Sequence, residues 1–171
     1  FYQWINHIHL ISNYISLRDI NNALLYCKNL ADKQKEINGE DDTGYIESLN
    51  LIESFYYDLG NYEKSLETNI NLKEKIKKVY GDDHESFFVV LDRIGNNYIQ
   101  MGQYDKALEI NIEISEKRKS LLGEDHPDFL TSLNNLAHVY SLVGNINKAV
   151  EINLKISQKR KIIYGDTHEL Y

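Results

Sequence analysis

Four glycines, Gly39, Gly81, Gly123 and Gly165, stand 42 residues apart, and this spacing constrains the fold more than any other feature of the chain. Each is followed by an acid (Glu40, Asp82, Glu124, Asp166), and three are followed at a fixed offset by His84, His126 or His168. A second glycine series, Gly60, Gly102 and Gly144, has the same step. So do Tyr56, Tyr98 and Tyr140, then Lys64, Lys106 and Lys148, then Asn69, Asn111 and Asn153. One supersecondary unit is therefore repeated along the chain.

Each unit resolves into two helices. Leu133, Leu136, Ala137, Tyr140 and Val143 recur at three- and four-residue steps and give a first helix one apolar stripe. Gly144 supplies the left-handed residue that ends this helix, and Asn145 is a good N-cap for the next. The second helix carries Ile146, Ala149, Val150, Leu154 and Ile156 on its inner side and ends at Gly165. Small residues at one fixed register, Ala23, Ser65, Ala107 and Ala149, let the paired axes approach closely. The chain's single proline, Pro127, falls at a helix start, where its missing N–H does no harm. The pattern predicts helices at 1–17, 20–37, 43–59, 62–79, 85–101, 104–121, 127–143 and 146–163. These group into repeats 1–38, 43–80, 85–122 and 127–164 of a single array spanning 1–171, with 166–171 opening a further first helix. A single unit cannot bury its own apolar face, so the units must stack. The expected fold is all-α, a right-handed α-solenoid of antiparallel helix pairs.

Composition narrows the function. Hydrophobic residues make up 42% and charged residues 26%, the balance of a folded chain. A net charge of −7 repels phosphate backbones and argues against nucleic acid as partner. No apolar run approaches the roughly 20 residues that cross a bilayer, so no membrane partner is expected. The lone Cys27 excludes an intrachain disulfide and fits a reducing, cytoplasmic compartment, where it reads as a small buried hydrophobe. The chain opens at Phe1 inside an apolar-rich stretch, which reads as a piece of a longer protein.

The run Leu133-Asn134-Asn135-Leu136-Ala137, followed by Tyr140, Gly144 and Ala149, resembles the tetratricopeptide repeat. The 42-residue length, with Leu122-Gly123-Glu124-Asp125-His126-Pro127-Asp128 between units, is similar to the kinesin light chain subclass. The chain departs from that pattern twice. Asn69, Asn111 and Asn153, with Cys27 in the first unit, stand where an aromatic residue is usual. A buried amide needs partners, so these asparagines either bridge neighbouring helices or reach helix ends and solvent. Arg18 stands where later units have glycine, and the first turn is expected to differ in shape.

The resemblance implies a concave surface lined by first-helix residues that binds a protein or peptide ligand. By register these are Asn50, Ser54 and Tyr57, then Asp92, Arg93, Asn96 and Gln100, then Asn134, Asn135, His138 and Ser141. Arg93 is the only basic residue among them, which speaks against the carboxylate grip of one chaperone-binding subclass. His84, His126 and His168 lie in separate loops with no second ligand at helix-face spacing, so a capping role is expected and no metal. The basic clusters Lys73–Lys78, Lys117–Lys119 and Lys159–Lys161 fall at helix C-termini and read as solvated, dipole-matched faces. There is no phosphate loop, nucleophile elbow or zinc pair on one helix, so neither enzymatic activity nor a cofactor is expected. The expected function is that of a scaffold or adaptor. The alternative is a regulatory or sensor arm of a larger effector, and uncapped terminal repeats offer a route to self-association.

Overall fold

The computed structural model describes residues 2–165. These contain no strand and form α1 (Tyr2–Ser16), α2 (Ile20–Asn38), α3 (Thr43–Asp58), α4 (Tyr62–Tyr80), α5 (Glu85–Gln100), α6 (Tyr104–Leu122), α7 (Pro127–Leu142) and α8 (Ile146–Tyr164). Each helix end lies within about one residue of its expected place. The further helix expected at 166–171 lies outside the described residues, as does His168. The chain divides into two compact units, 1–90 and 91–171, with the boundary inside α5.

Local chemistry sets the helix ends. The side chains of Asp19, Asn61 and Asn145 each accept the backbone N–H three residues on, at 3.2 Å, and Asp42 accepts that of Tyr45 at 3.1 Å. His84 Nδ1 accepts the Ser86 N–H and His126 Nδ1 the Asp128 N–H, both at 3.2 Å, so two of the linker histidines are helix caps. At the turn after α3, Gly60 has φ 71°; its N–H donates to the Tyr57 carbonyl and that of Asn61 to Tyr56, each at 2.9 Å. Arg18 reproduces this turn. It has φ 57°, its N–H donates to the Ile15 carbonyl and that of Asp19 to Tyr14, again at 2.9 Å. The expectation of a differently shaped first turn is therefore wrong. The hydrogen-bond pattern holds the arginine in a left-handed conformation that costs roughly 1–2 kcal/mol.

In the first unit α2 packs against α1 and α3, and α3 against α4. Ala23, Leu24, Cys27, Tyr45, Ile46, Leu49, Phe55, Leu72 and Ile76 are buried there. In the second unit α7 packs against α6 and α8 around Phe129, Leu130, Leu133, Leu136, Ala137, Ile152 and Ile156. The small residues at the shared register are all buried, as close helix approach requires. The recurring tyrosine and lysine have a local meaning too. Lys64 lies 5.6 Å from the Tyr56 ring centre and Lys106 5.4 Å from that of Tyr98, whereas Lys148 pairs with Glu151 at 3.0 Å instead.

Three readings of the sequence need correction. On α8, Ala149 and Ile156 are buried, but Ile146, Val150 and Leu154 are 55%, 51% and 59% exposed. Their counterparts one repeat earlier, Leu108 and Ile112, pack against the α7 cluster, so this stripe faces away from the helix's own partner. The asparagines are not alike. Asn69 bridges to its paired helix, donating to Glu53 at 2.9 Å; Asn111 turns back to the Ala107 carbonyl at 2.9 Å; Asn153 is exposed. The basic clusters are not simply solvated. Glu40 is held by Lys35 at 2.6 Å and Lys75 at 2.9 Å, and Lys75 is 7% exposed. Glu124 is held by Lys119 at 2.6 Å, Lys159 at 3.3 Å and Lys155 at 3.7 Å. The acids after Gly39 and Gly123 thus each clasp lysines from two successive second helices, which draws both glutamates down to about 2.

Candidate functional site

First-helix residues have two kinds of neighbour. Those on the apolar stripe meet the paired helix, and those a quarter-turn away meet either the next first helix or solvent. The candidate residues come from this second set, and each unit treats them differently.

In the first unit, Asn50, Ser54 and Tyr57 are half-buried along α3. The Asn50 amide donates to the Ile46 carbonyl at 3.0 Å and the Ser54 hydroxyl to Leu51 at 3.2 Å, so both are partly engaged by their own helix. The Tyr57 ring meets Tyr62 edge-on, with centroids 5.3 Å apart.

In the second unit, Asn96 and Gln100 are exposed one turn apart on α5, and Asn134, His138 and Ser141 are exposed along one face of α7. The Ser141 hydroxyl donates back to the Ala137 carbonyl at 3.2 Å. Asp92 and Asn135 tie the two helices together: Asn135 Nδ2 donates to Asp92 Oδ1 at 3.4 Å. Arg118 of α6 approaches Asp92 Oδ2 at 3.5 Å. Burial pushes the Asp92 carboxyl above its usual range, against the opposing pull of the Arg118 guanidinium and the Asn135 amide. Both contacts are longer than a standard hydrogen bond, so this carboxylate is only partly compensated. Arg93 is half-buried beside it.

Arg118 was missed as a site residue. It sits four residues after Ile114 on the inward stripe, where α4 has Ile76, and a cation on an apolar stripe is a signal that could have found it. Asn97, the neighbour of Asn96, was missed as well. It is fully buried, and neither of its amide atoms has a partner among the described residues. Phe55 and Val139 occupy its register in the repeats on either side, and Asn13, which is exposed, in the first.

Among the described residues no group of His, Cys, Asp or Glu is placed to hold a metal ion, and no helix is long and apolar enough to cross a membrane. Cys27 is buried, and burial pushes its thiol up to about 11.

No curated protein matches this chain. Residues 86–157 match the model of the tetratricopeptide repeat family. Among solved structures, a kinesin light chain-type protein of Podosopora anserina with nearly identical TPR-like repeats superposes with a TM-score of 0.79 at 17% identity, covering 98% of this chain and 79% of that one. BtubC (BKLC) of P. vanneervenii gives 0.77 at 18% identity, over 95% of this chain and 65% of its own. A STAND signal transduction ATPase of Pyrococcus horikoshii with a tetratricopeptide repeat sensor gives 0.76 at 23% identity, over 92% of this chain and 24% of its own. The helix pairs, the 42-residue step and these matches converge: residues 86–157 carry tetratricopeptide repeats, and the chain has the all-α fold of the α-solenoid class, similar to that of kinesin light chain-like repeat proteins.

Proposed function

We propose that this chain is a protein-binding scaffold that captures an extended peptide, or a helix of a partner, on the exposed face of its first helices. Tetratricopeptide repeats in general mediate protein–protein interaction, and their fold is typically a non-catalytic scaffold. The observation that carries the reading is the row of exposed polar side chains, Asn96, Gln100, Asn134 and His138, on α5 and α7, two first helices that approach each other at Asp92 and Asn135. Amides both donate and accept, so they suit a peptide backbone whatever its side chains. Because they stand on rigid helices, little ordering is needed on the scaffold side. Arg93 adds a group for a partner carboxylate, and Asn50, Ser54 and Tyr57 offer a similar set on α3. The reading needs no cofactor, metal, nucleic acid or membrane, and a reducing compartment such as the cytoplasm suits the buried thiol of Cys27.

The test is peptide-library capture by the wild type and an Asn96→Ala/Asn134→Ala variant. Capture should weaken at least tenfold in the variant with helicity unchanged; equal capture would refute the site.

A second reading has the chain as the sensor arm of a larger signalling protein, or self-associating through its end repeats. It is supported by the likeness to the Pyrococcus horikoshii protein with its tetratricopeptide repeat sensor and by the exposed Ile146, Val150 and Leu154. Sedimentation of the wild type and a Val150→Glu/Leu154→Glu variant separates the self-association arm, since only self-association would change on substitution.

A further inference from the structure

Glu53 is an acid in the core, 3% exposed, between α3 and α4. Its Oε1 accepts the Ser65 hydroxyl at 2.8 Å and the Asn69 amide at 2.9 Å. Ser65 and Asn69 are themselves fully buried, one turn apart on the stripe by which α4 meets α3. A carboxylate so placed is tolerable only with its donors, and its donors only with it.

The repeat makes the arrangement informative. At the register of Glu53 the other first helices carry Ile11, Gly95 and Ala137. At that of Ser65 the other second helices carry Ala23, Ala107 and Ala149, and at that of Asn69 they carry Cys27, Asn111 and Asn153. Among the eight helices only α3 offers an acceptor at this point, and only α4 offers a hydroxyl together with an amide. Laid against α6, Glu53 would meet Ala107 and an amide already donating to the Ala107 carbonyl at 2.9 Å. The room there suits glycine: a Cβ on Gly95 would lie 3.1 Å from Asn111 Nδ2. Laid against α8 or α2, the acid would meet Ala149 with Asn153, or Ala23 with Cys27. Conversely, α4 set against any other first helix would bury Ser65 opposite isoleucine, glycine or alanine.

We propose that Glu53, Ser65 and Asn69 form a pairing code that selects α4 as the partner of α3 from a set of look-alike helices, and so excludes slipped pairings within one chain and exchanged pairings between copies. Stability alone does not call for it, since the fourth repeat closes with Ala137 and Ala149 at the same positions. An array of near-identical amphipathic helices is prone to exchange, and a buried polar match used once along the array marks one pair as unique.

The test makes the triad apolar, with alanines where the fourth repeat has them and a leucine in place of the buried amide, in the variant Glu53→Ala/Ser65→Ala/Asn69→Leu. Wild type and variant are unfolded in guanidinium and refolded by dilution over a range of concentrations. The products are then followed by circular dichroism and by size-exclusion chromatography with light scattering. The variant should keep wild-type helicity and a melting temperature within about 5 °C of wild type or above it. The fraction returning to the original species should fall at least twofold, with native-like helical dimers and larger species making up the rest. Glu53→Gln, which keeps the acceptor oxygen, should refold as wild type does. Recovery of the original species at wild-type yield by the triple variant would overturn the proposal. So would loss of helicity, because the triad would then be serving stability and not the choice of partner.

Discussion

Two single residues carry more strain than their neighbours and offer direct tests. Arg18 holds the left-handed conformation that glycine holds at the equivalent turns. Arg18→Gly should therefore stabilise the first unit by about 1 kcal/mol, read as a shift of the urea midpoint with unchanged slope. Asn97 is buried with both amide atoms unpartnered among the described residues, where the repeats on either side place Phe55 and Val139. Asn97→Leu should raise stability by about 1–3 kcal/mol in the same assay, because it removes two unsatisfied polar groups while keeping the same branching of the side chain. A fall on that substitution would show that the amide has a needed partner. The 42-residue register already set Asn97 opposite apolar residues. It escaped notice because one asparagine beside another reads as surface until burial separates them.

At the scale of the helix the sequence was most legible, for a physical reason. Capping side chains, helix-ending glycines and the 3.6-residue stripe act within a few residues, so Asn61, Gly60 and Asn145 declare the ends of their helices without help from the fold. What acts across helices was less legible. Ile146, Val150 and Leu154 looked inward because one helix shows two apolar stripes, and periodicity alone does not say which neighbour each one meets. The small-residue register was legible from both sides, since every member is buried. Ala107→Leu should overpack the α5–α6 approach and cost about 1–3 kcal/mol, seen as a lowered melting temperature with helicity retained. Of the candidate site, the exposed amides of α5 and α7 could be read from register. Arg118 could have been read as a cation on the apolar stripe of α6, but its approach to Asp92 could not, because that depends on how far the side chain reaches.

For the molecule as a whole, acid response separates two classes of carboxyl. Glu40 and Glu124 are drawn down to about 2 by the lysines that clasp them, so their contribution is complete above the ordinary glutamate value and is lost as pH falls toward 2. Asp92 has the opposite sign. Its raised value means that the fold favours the neutral acid, so stability is given up as pH rises from the usual aspartate value through the raised one. Urea midpoints between pH 7 and pH 2.5 should therefore decline more shallowly in Glu124→Gln than in wild type. Asp92→Asn should be at least as stable as wild type at pH 7. A steeper acid decline in Glu124→Gln would contradict the clasp.

Cys27 lies beneath the surface where α2 meets its neighbours, and it is the chain's single sulfhydryl. A thiol-reactive dye can mark it only during moments when that region parts. The speed of labelling is thus a clock for local breathing of the first unit, readable without adding any tag. Seating a guest on α3 should slow that clock if the guest steadies the pairs beneath it.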